Sequence, residues 1–594
     1  MCVDPGNYIR VNNLLRSAGM KGLLRSLAVR LAVFVIVITA LLLLFPPSSR
    51  LQNETFDVLI SGGRVVDGTG APWFRADIGI RGDRIAAVGN LRNAEAARRI
   101  DASNLVVAPG FIDLLGQSEF YLLVDNRAAS KIMQGVTTEV SGEGTTIAPI
   151  NDRMVEDLRP SLEHYKVTVG WRTLGEYFDH LEKRVHPAIN VALFVGVGGV
   201  REYVMGKDSR RPTRDELKRM KELLARSMEE GALGVSSSLQ YPPDRYFTTD
   251  ELIELASVAA RYGGLYMTHQ RSEGNQIFES LEEVFTIAEK AGVPAEIWHL
   301  KVAYKSNWGR MPEVLSRIEQ ARARGLDITA NQYPYDRASN SLHSCLPLWV
   351  REGGVAKMIP RLRDPDVRER IKREMEDPTV TAWENQWYGS GGGDGVMVSS
   401  VLSPELRKYE GKTLTEIGRE MGKDPRDALM DLVLADRGGT SCVISVMQEE
   451  DVRTCLKHPF VSIDTDSAAR AEDGPLSVSK SHPRAWGTFA RILGKYVREE
   501  KLMRLEEAIR KMTSQPATRV GLRDRGIIRP GMAADITIFD PDTIRDVATF
   551  EDPNHYSVGV HYVLVNGKTV VEQGRITSER PGRALLGPGY GMTP

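Results

Sequence analysis

Short runs in which apolar and polar residues alternate occur near both ends of the chain. They are separated by glycine-containing turns, as in residues 57–70 (DVLISGGRVVDGTG) and, towards the other end, residues 560–576 (VHYVLVNGKTVVEQGRI). Alternation with a period of two is typical of half-buried β-strands. We therefore predict one small β-sandwich assembled from both ends, with residues 51–108 as its first part and residues 525–587 as its second.

The middle of the chain alternates between strand-like apolar runs and amphipathic helical stretches. The helical stretches place apolar residues at i, i+3 and i+4, as in residues 214–230 (RDELKRMKELLARSMEE). Repeated βα units predict an α/β fold with a parallel sheet and outer helices, most economically a (β/α)8 TIM-like barrel over residues 109–524. A segment at about 345–411 breaks the rhythm and is predicted to be an insertion beside the barrel mouth.

The candidate barrel strands number one more than an eight-stranded barrel needs, so one of them belongs elsewhere. In chain order they are GFID, GVTTEVSG, INVALFVGVG, GALGVSSS, GGLYMTHQ, AEIWHLK, LDITANQY, CVISV and FVSIDTD.

One segment is not typical of a globular domain. Residues 31–45 (LAVFVIVITALLLLF) form an unbroken apolar run that follows basic residues such as Arg25 and Arg30. Its length lies between the core of a signal peptide, about 7–15 residues, and a full membrane span of about 20. No small-residue cleavage site follows, so residues 1–50 are predicted to hold an uncleaved transmembrane anchor, with secretion after cleavage as the alternative. The basic flank would place the catalytic domain outside the cytoplasm.

The charge balance narrows the range of partners. Lys plus Arg (77) and Asp plus Glu (78) nearly cancel, so no basic excess indicates nucleic acid or an anionic membrane surface as the main partner. The four cysteines have no C-x-x-C spacing, which excludes a zinc ribbon or a disulfide framework. Cys442 and Cys455 are predicted to be buried thiols, with a pair in an oxidising compartment as the alternative. The sequence predicts no oligomeric state.

Several predicted strands end in residues able to bind a metal or move a proton. GGLYMTHQ delivers His269, AEIWHLK delivers His299, and FVSIDTD delivers Asp464 and Asp466. Glu143 lies on a glycine-flanked turn after TTEVS. Active sites of βα barrels form at the C-terminal ends of the strands. Each residue alone also fits a structural hydrogen bond or a helix cap, but together they favour a metal site.

Long stretches of the chain resemble a known family. From about residue 57 to residue 587, the chain is similar to the N-acyl-D-amino-acid deacylase (D-aminoacylase) branch of the amidohydrolase superfamily. The similar stretches include APGFID, QGVTTEVSGEGTTIAP, GALGVSSSLQYPP, LYMTHQRSEG, IWHLK, NQYPY, HPRAWGTFARILGKYVRE and MTSQPATRVGLRDRGIIRPGMAADITIFD.

This resemblance implies a metal-bearing barrel packed against a β-sandwich made from both ends of the chain. His269 and His299 match the two histidines of the tight metal site. Glu143 occupies the place of the family's cysteine ligand, and a carboxylate is an acceptable substitute because zinc accepts carboxylate oxygen at about 2.0–2.2 Å. The implied cofactor is zinc, one ion per chain.

The chain also departs from the family pattern. The family's His-x-His pair is replaced by Leu115 and Gln117, a further family histidine is replaced by Val197, and Asn331 stands where an acidic residue is common. The histidine pair belongs to an outer metal position, so its loss is expected to remove the outer metal and leave the inner one. Partial decay of the site would produce the same clustering of departures.

The resemblance also implies roles in catalysis and substrate binding. Asp466 matches the general base, which takes a proton from a metal-activated water and returns it to the departing amine. Lys301, Tyr333 and Arg484 match residues that hold a substrate's free α-carboxylate, although an ordinary ion pair is an alternative for Arg484. The leading hypothesis is hydrolysis of N-acyl-D-amino acids. The alternatives are another amide substrate, such as a cyclic amide or a dipeptide, and a catalytically inactive, membrane-anchored binding protein.

Overall fold

The computed structural model describes residues 55–592. The apolar run at residues 31–45 lies outside this range, so the predicted anchor stays a prediction. Within residues 55–592, no helix combines the length and the apolar character needed to cross a membrane.

The strands fall into groups along the chain. The N-terminal group comprises β1 (Thr55–Ser61), β2 (Arg64–Val65), β3 (Phe74–Arg75), β4 (Asp77–Arg81), β5 (Arg84–Gly89), β6 (Glu95–Asp101) and β7 (Val106–Pro109). The next group comprises β8 (Phe111–Asp113), β9 (Val136–Ser141), β10 (Asn190–Leu193), β11 (Val195–Gly196), β12 (Gly234–Ser238), β13 (Leu265–His269), β14 (Ala295–Ile297) and β15 (Ile328–Gln332). The remaining strands are β16 (Ala338–Ser341), β17 (Val396–Ser400), β18 (Ser441–Ile444), β19 (Val461–Ile463), β20 (Ile536–Phe539), β21 (Val560–Val565), β22 (Lys568–Glu572) and β23 (Arg575–Ile576).

Two sheets built largely from the ends of the described chain pack face to face. One has the order β5-β4-β1-β6, and the other has the order β23-β22-β21-β20-β7-β2-β3. Strands from the two ends meet where β20 pairs antiparallel with β7. Apolar residues of both sheets form one core, with Ile60 and Ile78 on one side and Ile536 and Leu564 on the other. This is a β-sandwich of the kind that the alternating pattern predicts.

Eight parallel strand positions form the barrel. Strands β10 and β11 are separated only by Phe194 and count as one position. The order around the barrel is β8-β9-β10/β11-β12-β13-β14-β15-β19. A parallel bridge between Gly116 and Ser467 joins the segments that follow β8 and β19 and closes the ring. Every residue of β9, β10 and β13 is buried, as expected for parallel strands covered on both faces.

Helices pack around the barrel. They are Ala129–Ile132, Asp152–Tyr165, Leu174–His180, Val197–Met205, Arg214–Glu229, Thr249–Arg261, Ile277–Ala291, Met311–Ala323, Glu449–Lys457, Arg484–Arg491, Leu505–Met512 and Ser514–Arg519, with π-helical turns at Leu181–Val185 and Ile492–Glu499. The predicted helix at residues 214–230 begins after a capping box formed by Thr213 and Glu216 and buries Met220, Leu223 and Leu224. The cap and the apolar stripe explain why this stretch is helical.

A separate lobe lies between the last two barrel strands. Strands β16, β18 and β17 form an antiparallel sheet, accompanied by helices Leu348–Arg351, Val355–Leu362, Pro365–Met375, Gln386–Ser390, Leu414–Met421 and Pro425–Ala435. These elements bury their own apolar core, which includes Leu342, Leu429 and Ile444. The lobe contains the predicted insertion at 345–411 and extends beyond it on both sides. The surplus candidate strand is CVISV, which overlaps β18 and belongs to this lobe.

The thiols of Cys345, Cys442 and Cys455 are buried and unpaired by disulfides. The predicted buried thiols are therefore present, and the alternative Cys442–Cys455 disulfide is not formed. Burial raises the pKa of both Cys442 and Cys455, so these thiols are inert rather than nucleophilic.

Candidate active site

Glu143 lies on a turn that requires glycine on both sides. Gly142 and Gly144 have φ values of 108° and 64°, a region that L side chains rarely adopt. A Cβ atom at position 142 would lie 2.4 Å from the carbonyl oxygen of Phe194, and one at position 144 would lie 2.6 Å from Ser238 Cβ. The glycines therefore allow the turn after β9 to pack against the neighbouring strands and hold Glu143 over the barrel mouth.

The two predicted histidine ligands lie beside Glu143. His269 is the last residue of β13, and its Nδ1 lies 3.0 Å from Glu143 Oε1. His299 follows β14, and its Nε2 lies 3.5 Å from the same oxygen. One ligand atom from each of these three residues lies within 4.8 Å of the other two. The sequence separates the three residues widely, and the parallel strands bring them together at one end of the barrel.

Neighbouring polar side chains orient both imidazole rings. Nε2 of His269 lies 3.0 Å from Gln240 Oε1, and its Nδ1 faces Glu143. Nδ1 of His299 lies 2.8 Å from Lys301 Nζ and 3.1 Å from Glu273 Oε1, and its Nε2 faces Glu143. Metal-binding histidines are commonly oriented by a polar partner on the ring nitrogen that does not bind the metal. Each ring here has such a partner on one nitrogen and presents the other nitrogen towards a common point.

The electrostatics of the triad favour a charged carboxylate. Burial would raise the pKa of Glu143, but hydrogen bonds and positive charge from His269 and His299 hold it well below its usual range. Burial and Lys301 would lower the pKa of His299, but Asp466, Glu273 and Glu143 raise it to about 10. A shared cation at this point would satisfy the same negative charges.

Asp466 lies at the edge of this triad and is held by an ion pair and a hydrogen bond. Its Oδ2 pairs with Arg484 Nη1 at 2.7 Å, and its Oδ1 accepts a hydrogen bond from Gln117 Nε2 at 3.1 Å. The same Gln117 nitrogen donates to Glu143 Oε2, also at 3.1 Å. Asp464 is fully buried instead, and burial together with the charge of Asp466 raises its pKa well above the usual range. Of the two candidate aspartates, Asp466 is therefore the one that lies beside the predicted ligands.

The three predicted substrate-binding residues lie together on one side of Asp466. The ring of Tyr333 has Arg484 4.5 Å from its centroid on one side and Lys301 Nζ at 5.6 Å. Lys301 is buried and pairs with Glu273 Oε1 at 2.5 Å. Within residues 55–592 the hydroxyl of Tyr333 has no hydrogen-bond partner although it is buried. Arg484 reaches the open cavity, whereas Lys301 and Tyr333 lie behind it.

The positions that depart from the family pattern have structural roles of their own. Leu115 is fully buried in an apolar cluster inside the barrel with Trp298. Val197 is buried at the start of its helix. Asn331 Oδ1 accepts a 2.6 Å hydrogen bond from the backbone nitrogen of His299, whose φ of 38° is strained for a non-glycine residue. Asn331 thus fixes the backbone that carries one of the histidines.

A cavity of about 370 Å³ opens above the triad. The barrel contributes Gln117, Glu143, His269, His299, Asp466 and Arg484, and the lobe contributes Asn340, Ser399 and Ser441. A larger cavity of about 830 Å³ lies near the start of β13 and β14, and none of the predicted site residues is among its described lining. The chemistry is therefore concentrated at the C-terminal end of the barrel, as the fold class leads one to expect.

Sequence reasoning missed the residues that support the ligands. Gln240 and Glu273 have no strand-end position to mark them, and Gln117 was noted only as a departure from His-x-His. Glu273 lies only four residues after the predicted ligand His269. Its ion-pair partner Lys301 lies only two residues after the other predicted histidine, His299. An acid so close to a ligand in the sequence is the signal from which its orienting role could have been proposed.

Comparisons with known proteins agree with this arrangement. A family model described as "Amidohydrolase family" matches residues 440–571. The chain is 36% identical to a D-aminoacylase of Alcaligenes xylosoxydans xylosoxydans over 541 residues, which cover 90% of this chain and 99% of that protein.

Solved structures give the same result. The crystal structure of an N-acyl-D-glutamate deacylase from Bordetella bronchiseptica, complexed with zinc and a phosphonate inhibitor, has a TM-score of 0.74 and 32% identity, with 90% of this chain and 100% of that chain covered. A D-aminoacylase structure has a TM-score of 0.73 and 35% identity, with 90% of this chain and 100% of that chain covered. That structure is described in terms of one-metal activation and second-metal attenuation of a binuclear metal centre. This chain belongs to the N-acyl-D-amino-acid deacylase (D-aminoacylase) family of the amidohydrolase superfamily.

Proposed function

We propose that this protein is a zinc-dependent hydrolase of linear amide C–N bonds that releases the amino acid from N-acyl-D-amino acids. The observation that carries the proposal is the convergence of Glu143, His269 and His299 within 4.8 Å, with Asp466 beside them. Two relatives that align with this chain over nearly their whole length are deacylases of N-acyl-D-amino acids. The reaction class therefore rests on both the site and the family.

The residues present fit one zinc ion. Two imidazoles and one carboxylate form a common zinc ligand set that leaves a position for water or substrate. With Gln240 beside Nε2 of His269, and with Lys301 and Glu273 beside Nδ1 of His299, the other nitrogen of each imidazole faces the common point. Zinc bound there would polarise the amide carbonyl and lower the pKa of water at the open position.

Asp466 is placed to handle the proton of the reaction. One of its oxygens is held by Arg484 and the other by Gln117, so the carboxylate faces the cavity in a fixed orientation. It would accept a proton from the attacking water and return it to the nitrogen of the departing amine. This is the general-base role that the family resemblance implies.

Arg484 is proposed to hold the substrate's α-carboxylate, because it lines the cavity and charge-assisted hydrogen bonds are the stronger kind. Tyr333 lies behind the cavity, with Arg484 4.5 Å from its ring centroid, and is proposed to support that guanidinium. Lys301 is proposed to contribute positive charge while it pairs with Glu273.

A single metal is proposed because the outer metal position lacks its ligands. Leu115 is turned into the apolar interior, and the Gln117 amide donates to both Glu143 and Asp466. An amide nitrogen that donates hydrogen bonds is not a metal ligand. The relatives that align with 90% of this chain at 32–36% identity are deacylases, which favours the deacylase over a cyclic-amide hydrolase. The intact triad favours an enzyme over an inactive binding protein.

The location of the protein in the cell is a separate proposal. The apolar run at residues 31–45 and its basic flank support a membrane anchor with the catalytic domain outside the cytoplasm. Membrane fractionation of cells that make the full chain tests this proposal. A chain that is recovered without detergent and lacks its first 45 residues would indicate signal cleavage instead.

The function is tested by hydrolysis assays on the zinc-loaded, full-length chain. Matched N-acetyl-D- and N-acetyl-L-amino acids should be compared, with release of the free amino acid as the readout. We expect release from the D compounds only. Equal release from both, or hydrolysis of cyclic amides alone, would contradict the proposed substrate class.

A further inference from the structure

An exposed aromatic pair lies on the edge of the larger β-sandwich sheet. Residues 71–75 (APWFR) are all exposed, and Trp73 and Phe74 are 45% and 40% accessible to solvent. Phe74 belongs to β3, which is the outermost strand of its sheet. Single apolar residues are common on protein surfaces, but adjacent aromatics on a sheet edge are a liability that proteins usually cover. The pair therefore indicates a surface that contacts a partner.

The loop that carries the pair is held by specific contacts. The guanidinium of Arg75 lies 6.0 Å from the ring centroid of Trp73 and donates a 3.2 Å hydrogen bond to the carbonyl oxygen of Gly62. At the start of the loop, a Cβ atom on Gly68 would lie 2.4 Å from the carbonyl oxygen of Gly526. The loop is thus packed tightly against its neighbours, and the exposure of the aromatic pair is part of the fold.

A second group of exposed apolar residues lies near the same end of the barrel. A Cβ atom on Gly70 would lie 3.1 Å from Arg510 Cδ, so the aromatic loop contacts Arg510. Both Arg510 and Leu586 line the cavity of about 830 Å³ at the start of β13 and β14. Leu586, Tyr590 and Met592 are exposed. The two groups therefore lie around one cavity, at the end of the barrel opposite to the metal-binding triad.

We call these exposed residues the basal surface, which consists of Trp73, Phe74, Leu586, Tyr590 and Met592.

The cavity within the basal surface carries a surplus of positive charge. Its charged lining consists of four arginines and two acids, namely Arg322, Arg510, Arg519, Arg523, Glu296 and Asp327. Arg519 pairs with both acids, at 3.1 Å and 2.8 Å, and Arg510 pairs with Glu507 at 2.7 Å. Arg322 and Arg523, both exposed, supply the surplus. The near-neutral charge of the whole chain does not oppose this local attraction, because salt screens charges beyond about 8 Å.

The predicted anchor would hold the described domain close to a bilayer. Only residues 46–54 separate the apolar run from Thr55, the first residue of β1. Nine residues span at most about 30 Å when fully extended. A compact domain of this size has a radius of gyration of about 24 Å, so the connection is shorter than the diameter of the domain.

The basal surface is within reach of the same bilayer. Strand β1 runs from Thr55 to Ser61 and covers about 20 Å. Gly62 follows Ser61 and accepts the hydrogen bond from Arg75 in the aromatic loop. The start of the described chain and the aromatic loop are therefore joined by one short strand, and a single bilayer can contact both.

We propose that the basal surface docks on the bilayer that holds the anchor. Trp73, Phe74 and Tyr590 would lie at the level of the lipid headgroups, where aromatic side chains are enriched, and the surplus arginines would contact anionic lipids. The inference rests on the proposed membrane location and not on the proposed substrate. The catalytic cavity opens at the opposite end of the barrel, so it faces the aqueous phase and takes its substrate from solution.

Quenching of tryptophan emission by brominated lipid tests this contact directly. All eight tryptophans of the chain lie within residues 55–592, and Trp73 is the one that is exposed. The full-length protein is placed in nanodiscs of phosphatidylcholine with a minority of phosphatidylglycerol, with or without bromine on the acyl chains near the headgroups. We expect bromine to remove up to one-eighth of the emission, the share of one tryptophan among eight. Trp73→Phe should abolish this loss.

Matched variants attribute the loss to the basal surface. Trp349→Phe, at a partly buried tryptophan of the lobe, should leave the bromine-dependent loss intact. The double variant Leu586→Ser, Tyr590→Ser should reduce the loss, because less apolar area holds the surface on the bilayer. Val547→Ser, at an exposed valine outside the basal surface, is its control and should not reduce the loss. All of these variants should unfold at the parent temperature, and an unchanged loss in the double variant would contradict the role of Leu586 and Tyr590.

Flotation with vesicles separates this inference from the proposed anchor. A chain that floats with the vesicles but shows no bromine-dependent loss, or a loss that survives Trp73→Phe, would overturn the inference and keep the anchor. A chain that does not float, yet shows Trp73-dependent quenching when vesicles are added, would contradict the anchor and keep the docking surface. Self-association that Trp73→Ser removes, without quenching by bromine, would assign the surface to a second copy and would also overturn the inference.

Discussion

Two charged clusters each take residues from β9 and β19 or from the segments that follow these strands, and they differ in whether their polar atoms are satisfied. The first, the closed centre, consists of Lys131, Asp113, Glu139 and Thr465. Nζ of Lys131 reaches Asp113 Oδ2 at 2.5 Å, Thr465 Oγ1 at 2.7 Å and Glu139 Oε2 at 3.1 Å, and the side chains of the two acids and the lysine are at most 1% exposed.

The second cluster, the open centre, consists of Glu143, His269, His299, Asp466 and Arg484. Its ionisable groups converge on a cavity, and several of its ligand atoms face one another across a space that suits a cation. Thr465 belongs to the closed centre and the next residue, Asp466, to the open one.

The comparison shows how one barrel supports both stability and chemistry. Inside the barrel, every donor of Lys131 meets an acceptor, so the buried charges are paired and rigid. Beyond the ends of the strands, the side chains of the open centre face the cavity at the barrel mouth, where they can bind a metal and a substrate. Charge alone does not mark an active site, but charge with unmet hydrogen-bonding capacity beside a cavity does.

The largest effect is expected from removal of the carboxylate ligand. Glu143→Ala should release the metal, because two imidazoles remain, and should lower kcat/KM on the order of 10⁴-fold or more. Elemental analysis should give about one zinc per parent chain and close to none in the variant. Glu163→Ala, at an exposed position, is the control, and unchanged metal content in Glu143→Ala would exclude Glu143 as a ligand.

Removal of the proposed base should separate metal binding from catalysis. Asp466→Asn should keep the zinc but lower kcat about 10²- to 10⁴-fold, because the amide cannot accept the proton from water. Asp464→Asn is the neighbouring control, since burial raises the pKa of that carboxyl group well above its usual range, and its kcat should stay within about tenfold of the parent value. Similar losses in both variants would argue against a specific role for Asp466.

The closed centre should respond in stability rather than in metal content. Lys131→Met leaves Asp113 and Glu139 buried without a cation and should lower the free energy of unfolding by about 3–5 kcal/mol. Denaturant unfolding measures this loss. Lys183→Met, at a side chain that is 68% exposed, should change stability by no more than about 0.5 kcal/mol.

The corresponding change in the open centre sharpens the contrast. Arg484→Met should cost less stability than Lys131→Met, because water in the cavity can solvate Asp466. If the two variants lose equal stability, the distinction between a closed and an open centre is wrong.

The smallest effect is expected from the amide that bridges the two carboxylates. Gln117→Ala should lower kcat/KM by about tenfold, because Asp466 loses one of the two side chains that hold it, while zinc content stays near one. Gln117→Glu, which keeps the shape but adds a repelling charge, should be more harmful. A variant Gln117→Ala with full activity would leave Arg484 as the only side chain needed to orient Asp466.

Much of the site follows from local sequence. The glycines around Glu143, the ends of β13 and β14, and the family stretches place the three predicted ligands and Asp466 at strand ends, and the structure brings them to one mouth. Local patterns identify such positions because strand periodicity and turn conformation depend on neighbouring residues. The alternating runs at both ends likewise predict the sandwich.

Only the tertiary structure decided which groups meet. The pattern of CVISV fits a barrel strand, but its pairing with β16 and β17 assigns it to the lobe. The contacts of Gln117, Glu273 and Lys131 join residues far apart in the chain. A sequence determines which side chains are available at each strand end, whereas satisfied and unsatisfied partners are set by distances between segments that no local pattern encodes.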